Sequence, residues 1–200
     1  MKDLAGIFAR IPRLWLFAVV GLVQVAAIAF MVGDRMMILR SATEVLLKTR
    51  PIDPRDLLRG DYVTLGYDIT SLDAGALKNT PSGGKGSAVY VKIAPDAEGY
   101  YKAVSVHREP VPLAAGEVLI RGRAMIGADC GDDNNRTFCE SLQLEYGLEK
   151  FFVPQGEGRA IESARNDGKV AVVAAVTSGG RAAIKRLLID GKPVYDEPLF

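Results

Sequence analysis

A run of twenty residues near the N-terminus, from Leu14 to Gly33, constrains this chain more than any other feature. It reads "LWLFAVVGLVQVAAIAFMVG", carries no charged side chain, and has Gln24 as its one strongly polar residue. About 20 consecutive apolar residues are what an α-helix needs to cross the hydrocarbon core of a bilayer. The sequence therefore predicts a cytoplasmic tail over residues 1–13, a transmembrane anchor over 14–33 and one exported domain over 34–200.

The same segment allows a second interpretation, a secretory signal that is removed after export. Ala27 and Ala29 place small residues at the two positions that a signal peptidase reads, after a charged start and an apolar run. However, Phe30, Met31 and Val32 keep the sequence apolar where a signal peptide normally becomes polar. We therefore favour an uncleaved anchor and keep export after cleavage as the alternative.

The charges that flank the span indicate its orientation. Lys2, Arg10 and Arg13 precede the span, whereas Arg35 and Arg40 follow it closely. An excess of cations marks the cytoplasmic side of a membrane. The slight excess before the span predicts a cytoplasmic N-terminus and a periplasmic domain on a bacterial inner membrane.

The exported part of the chain is close to neutral. The whole sequence has 25 Lys and Arg against 24 Asp and Glu, and residues 1–33 hold three of those cations and one of those anions. Residues 34–200 therefore keep 22 cations and 23 anions. This balance argues against a nucleic-acid partner, which normally requires a basic face.

The two cysteines of the chain, Cys130 and Cys139, lie in the polar loop "CGDDNNRTFC". Their spacing suits a small disulfide in an oxidising compartment better than a metal site. A zinc site would need two more ligands, and the chain has one histidine. We expect a disulfide here, and no metal ion or cofactor.

Beyond the span, the chain shows the period-two alternation that is typical of half-buried β-strands. After Gly60 one face of a predicted strand is apolar, with Val63, Leu65, Tyr67 and Ile69, whereas Tyr62 points to the other face. Later segments predict a hairpin from "AVYVKIAP" to "YYKAVSVHRE", a short helix near "EGRAIESARN", and a final strand pair. About seven or eight strands with one or two short helices predict a mainly β fold, as an antiparallel sheet, a sandwich or a partly open barrel.

Two segments resemble a known family. The first block, residues 60–67, has Gly60, Asp61, Tyr62, Leu65 and Tyr67 in the order that names the GDYXXLXY family of bacterial membrane-anchored proteins. The second block, "YGLEKFFVPQGEG" over residues 146–158, is similar to another segment of that family. The resemblance spans most of the exported domain. The chain departs from the family pattern at the cysteine loop. It implies a domain of unknown role with no catalytic residue to transfer, and a multi-pass membrane protein as partner.

The resemblance and the stretch before it together define the candidate binding residues. They are Asp53, Arg55, Asp56, Arg59, Gly60, Asp61, Tyr62, Leu65, Tyr67, Tyr146, Gly147, Glu149, Phe152 and Pro154.

The three acids of this set, Asp53, Asp56 and Asp61, allow two interpretations. Paired carboxylates in unlike environments are able to share acid and base roles, or to bind a metal. Alternatively, Asp53 caps a turn that begins at Pro54, Asp56 pairs with a neighbouring arginine, and Asp61 binds backbone amides where the strand begins. We favour the structural role, because no nucleophile accompanies the acids.

A hydrolase remains the rival hypothesis. The run "RGDYVTL" is similar to the Gly-Asp turn of signal-peptidase-like barrels, in which a serine and a lysine act together. Lys92 and Lys150 are the candidate bases, but the characteristic serine motif is missing and Ser41 stands alone. We therefore expect a non-catalytic accessory or binding protein, with a periplasmic Ser/Lys or Asp-cluster hydrolase as the alternative.

Two aromatic features each allow a structural role or a binding role. Tyr62 is expected to point outward, where an aromatic ring either covers a neighbouring strand or anchors a partner. The "FFVP" run at residues 151–154 belongs either to the core or to an apolar surface patch.

Overall fold

The computed structural model describes residues 13–51, 62–73, 86–125, 141–153 and 158–198. The chain divides into two compact units, the first reaching Met37 and the second beginning at Ile38.

The first unit consists, in its described part, of the apolar helix α1 as far as Met37, and the last two residues of this helix belong to the second unit. This helix runs over Arg13–Leu39, and the segment Leu14–Leu39 is long and apolar enough to cross a membrane. Helix α1 continues past the predicted end of the span at Gly33, because no proline interrupts Asp34 and the residues after it. Its 27 residues extend about 40 Å, more than the thickness of the hydrocarbon core.

The described residues after α1 form twelve strands and one short helix. The strands are β1 (Thr43–Arg50), β2 (Tyr62–Thr64), β3 (Gly66–Tyr67), β4 (Ser71–Asp73), β5 (Ala88–Pro95), β6 (Tyr101–His107), β7 (Val118–Met125), β8 (Ser141–Glu145), β9 (Lys150–Phe152), β10 (Val170–Val176), β11 (Ala182–Ile189) and β12 (Lys192–Asp196). Helix α2 (Gly158–Asn166) lies between β9 and β10 in the sequence.

These strands pair into three antiparallel sheets. The first has the order β12-β11-β10-β1-β3, the second the order β4-β8-β7-β5-β6, and the third is the two-stranded ribbon β2-β9. The predicted mainly β, antiparallel fold class is therefore confirmed.

The strand predicted after Gly60 differs from expectation in one respect. The apolar face is confirmed, because Val63, Leu65, Tyr67 and Ile69 are all buried. The prediction of a single strand, however, is wrong. Strand β2 pairs with β9, whereas β3 leaves the ribbon and pairs with β1. The alternation continues through the change of partner, since it depends on burial and not on which strand supplies the hydrogen bonds.

One hydrophobic core runs through the β-rich unit. Strand β10 is buried along its whole length, Val170–Val176, which explains its uninterrupted apolar sequence. The core also takes side chains from all three sheets and from α2, including Val45, Leu65, Val91, Ile120, Leu144, Phe151, Ile161 and Leu187.

The turn between β10 and β11 contacts the second sheet. The carbonyl oxygen of Gly180 accepts a hydrogen bond of 2.7 Å from the backbone nitrogen of Arg121 on β7. Gly180 has φ +81°, and a Cβ at this position would lie 3.0 Å from that same nitrogen. Glycine is therefore required twice, for the backbone conformation and for the close approach.

Candidate functional site

The two sequence blocks that resemble the GDYXXLXY family lie side by side. In the ribbon, Tyr62 is opposite Phe152 and Thr64 is opposite Lys150. The pairing continues one residue further, because the backbone nitrogen of Leu65 donates to the carbonyl oxygen of Glu149 over 2.8 Å. The blocks are about eighty residues apart in the sequence, so this contact could not be derived from their spacing.

Two buried tyrosines connect the second block with the first block and with Ile69, two residues beyond it. The Tyr67 hydroxyl donates to the carbonyl oxygen of Leu148 over 2.7 Å, and the Tyr146 hydroxyl donates to that of Ile69 over 2.8 Å. Burial, and secondarily the negative charge of Glu149, raises the pKa of Tyr67 and of Tyr146 well above the usual value. Both phenols therefore stay neutral donors, which is what the two carbonyl groups require.

Glu149 also closes the turn that begins the second block. Its carboxylate oxygen Oε1 accepts a hydrogen bond of 2.6 Å from the backbone nitrogen of Tyr146. Gly147, inside this turn, has φ +77°, a conformation that glycine adopts without strain. Gly147 and Glu149 thus have clear structural roles in holding the second block against the first.

Helix α2 supplies a further contact that the sequence analysis did not select. Arg165 has no exposed surface, and its guanidinium Nη1 donates to the carbonyl oxygen of Thr64 in β2. Asn166 Oδ1 accepts two more hydrogen bonds from the same guanidinium. Arg165 follows the buried Ile161 by four residues, so helical periodicity places it on the core-facing side and was a usable signal.

The outward side of the ribbon carries an aromatic and cationic surface, which we call the aromatic face and define as Tyr62, Lys150 and Phe152. The Tyr62 and Phe152 rings have centroids 6.1 Å apart at an interplanar angle of 54°. The Lys150 ammonium lies 5.6 Å from the centre of the Tyr62 ring, within the range of a cation–π interaction.

The structure answers the question raised by the two adjacent phenylalanines. Phe151 is 3% exposed and packs edge-on against Tyr195 with a centroid distance of 4.9 Å, whereas Phe152 is 73% exposed. Strand alternation therefore gives one phenylalanine to the core and the other to the surface.

Several of the predicted residues lie outside the described ranges. They are Asp53, Arg55, Asp56, Arg59, Gly60, Asp61, Pro154 and the cysteines Cys130 and Cys139. The acidic cluster, its arginines and the expected disulfide remain predictions from the sequence.

Two of the residues considered for a hydrolase, Ser41 and Lys92, are engaged in structural contacts, whereas the third, Lys150, belongs to the aromatic face. The Ser41 hydroxyl donates to the carbonyl oxygen of Val176 over 2.5 Å, and the Lys92 ammonium lies 3.0 Å from the Glu117 carboxylate. Ser105 lies 2.8 Å from His107 Nε2, but it is only 5% exposed. Over the ranges that the structure describes, no group of three His, Cys, Asp or Glu residues is placed to hold a metal ion.

Comparison with known proteins gives one result. A family model described as "GDYXXLXY protein" matches residues 24–187, which is most of the chain. No curated protein and no solved structure matches the chain. The matched range includes the end of α1, both blocks and helix α2.

Proposed function

Because this chain belongs to the GDYXXLXY family, a family of unknown function, we propose that it is a membrane-anchored accessory protein that binds an integral-membrane partner through the aromatic face. Helix α1 is the anchor, in a bacterial inner membrane. The N-terminus lies in the cytoplasm and the β-rich domain lies in the periplasm.

The exposure of Phe152 is the observation that carries this proposal. A phenylalanine that is 73% exposed gains little from folding, and it stands beside Tyr62 on a ribbon whose opposite side packs in the core. Aromatic side chains on a rigid support are typical of the central residues of protein interfaces.

Charge indicates the chemistry of the partner. The Lys150 ammonium forms no ion pair with any residue of the described part of the chain, although it lies over the Tyr62 ring. A partner surface with an apolar pocket for Phe152 and a carboxylate near Lys150 would match both features. The partner segment is therefore an acidic loop of a multi-pass membrane protein, exposed on the same side as the domain.

A pull-down from native membranes tests this proposal. Full-length protein, tagged and expressed at its native level, is cross-linked in its own membrane, purified, and its partners are identified by mass spectrometry. We expect wild type to recover a multi-pass protein, and Phe152→Ala or Tyr62→Ala to reduce its recovery by about tenfold or more, as loss of a central interface residue does.

Val194→Ala is the matched control. Val194 is also an exposed apolar side chain, 55% accessible, but it lies on β12 and outside the aromatic face. The control variant should recover the partner as wild type does. Equal recovery with all the variants, or no multi-pass protein from wild type, would show that the aromatic face is not a docking surface.

A further inference from the structure

A groove on the second sheet shares no lining residue with the aromatic face, and we call it the arginine groove. Its volume is about 540 Å³, and its lining includes Arg121, Gly122 and Arg123 of β7 together with Glu145, Tyr146 and Gly147. The last two residues belong to the second block, so one family segment contributes both to the ribbon and to this groove.

The two arginines project on the same side of β7. Residues two apart on a strand point to the same face and are separated by about 7 Å along it. Arg121 is opposite Tyr90 and Arg123 is opposite Ala88 on β5, while on the other side of β7 Arg123 is opposite Glu145 of β8.

The guanidinium groups are available to a ligand. Neither Arg121 nor Arg123 forms an ion pair or a side-chain hydrogen bond with a residue that the structure describes, although Glu145 is the direct cross-strand neighbour of Arg123. Both arginines are exposed. Two cations against one anion leave a local excess of positive charge in a domain that is otherwise near neutral.

The backbone of β7 between the two arginines is fixed from the core side, on the face opposite their side chains. Gly122 lies over the Tyr146 ring, and a Cβ at position 122 would be 3.0 Å from Tyr146 Cε1. The ring cannot move away easily, because its hydroxyl is bound to the carbonyl oxygen of Ile69. Gly147 leaves open space where a side chain would otherwise stand.

We propose that the arginine groove is a binding site for a phosphate group. A tetrahedral phosphate presents oxygens to two guanidinium groups at once, whereas a single arginine already satisfies a carboxylate through a paired contact. The phosphate belongs either to a soluble metabolite or to a lipid headgroup, since both offer the same oxygens. This inference does not depend on the proposed docking of a partner through the aromatic face.

Calorimetric titration of the full-length protein in a non-ionic detergent tests the proposal. Inorganic phosphate is the first probe, with chloride at the same ionic strength as the reference. Nanodiscs containing phosphatidylglycerol, compared with phosphatidylcholine nanodiscs, are the second probe and distinguish a lipid headgroup from a soluble phosphate. Losing hydrogen bonds to a charged group costs enough to lower affinity by about tenfold or more per arginine. We therefore expect Arg121→Ala/Arg123→Ala to abolish measurable binding of whichever probe wild type binds.

The control is a double variant with the same change in charge. Arg108 and Lys192 are exposed cations outside the groove, and neither forms an ion pair with a described residue. Arg108→Ala/Lys192→Ala should bind the probe as wild type does. Equal loss of binding in both double variants would reveal a general effect of net charge and would overturn the proposal. Wild-type protein that binds neither probe would overturn it as well.

Discussion

At the scale of single residues, two phenolic hydroxyls connect segments that are distant in the sequence. Tyr67 donates to the second block and Tyr146 donates back toward the first, and each accepting carbonyl oxygen lies in a region closed to water. A buried carbonyl group that loses its donor costs more than the hydrogen bond itself contributed, because its desolvation is no longer compensated. The two tyrosines therefore stabilise the contact between these segments, whatever the ribbon binds.

Tyr67→Phe should lower the free energy of unfolding by about 1–3 kcal/mol, because it leaves the Leu148 carbonyl oxygen without a partner. Chemical denaturation of the full-length protein in detergent, followed by circular dichroism, measures the change. Tyr90→Phe is the control, since the structure assigns the Tyr90 hydroxyl no hydrogen bond to a described residue. An equal loss of unfolding free energy in the two variants would show that the hydrogen bond of the Tyr67 hydroxyl does not stabilise the fold.

The same tyrosines predict a loss of stability at alkaline pH. Below about pH 10 the phenols are protonated in the folded and the unfolded chain alike, so they add no pH dependence. Above it only the unfolded chain ionises at these positions, because burial raises the pKa of Tyr67 and of Tyr146 in the folded state. The free energy of unfolding should then fall by about 1.4 kcal/mol per pH unit for each tyrosine. Denaturation of wild type and Tyr67→Phe between pH 9 and 11 should give a shallower slope for the variant, and parallel slopes would contradict this account.

At the scale of elements, helix α2 supports the ribbon through one buried arginine. Arg165→Leu should lower the free energy of unfolding by about 1–3 kcal/mol, because the Thr64 carbonyl oxygen loses its donor. It should also speed amide hydrogen exchange in β2 and β9 more than in β10. Ser163→Leu places the same side chain on the exposed side of α2 and should leave both measurements near wild type. Exchange that rises equally in all strands would indicate general unfolding and no specific support of the ribbon.

The elements also show which parts of the structure the sequence was able to predict. Period-two alternation predicted the buried face of Val63, Leu65 and Tyr67, since burial leaves a direct trace in residue type. The change of strand partner at Leu65 could not be predicted in this way, because β2 and β3 need the same alternation of apolar and polar residues whichever sheet they join. Which of Phe151 and Phe152 is buried also could not be predicted, because the register of the strand decides it.

The site was predicted less completely than the fold. The resemblance selected both blocks, but their contact depends on long-range pairing that no local pattern records. Arg165 was missed because charged residues are normally read as surface. The arginine groove was missed because two exposed arginines on a strand give no local signal of a groove beside them. The spacing of Arg165 from Ile161, and of Arg121 from Arg123, was nevertheless visible in the sequence and places each pair on one face.

At the scale of the whole molecule, separate parts of the chain have separate proposed tasks. Helix α1 has the length and apolar character to hold the chain in a membrane, and the β-rich unit provides a rigid support for its surfaces. The ribbon presents Phe152 on one surface, while the arginine groove opens on another sheet. The proposed docking of an integral-membrane partner requires the domain to remain attached to the membrane, and its periplasmic location is part of that same proposal.

The topology of the intact protein therefore decides between a periplasmic domain, a cytoplasmic domain and a domain exported after removal of a signal. The full-length chain, with one epitope at each terminus, is expressed in bacterial cells that are then converted to spheroplasts and treated with protease. We predict that the C-terminal epitope is lost and that the N-terminal epitope survives on a membrane-bound fragment that contains α1. A protected C-terminal epitope would place the domain in the cytoplasm, and an N-terminal epitope already absent from the mature protein would identify the apolar segment as a cleaved signal.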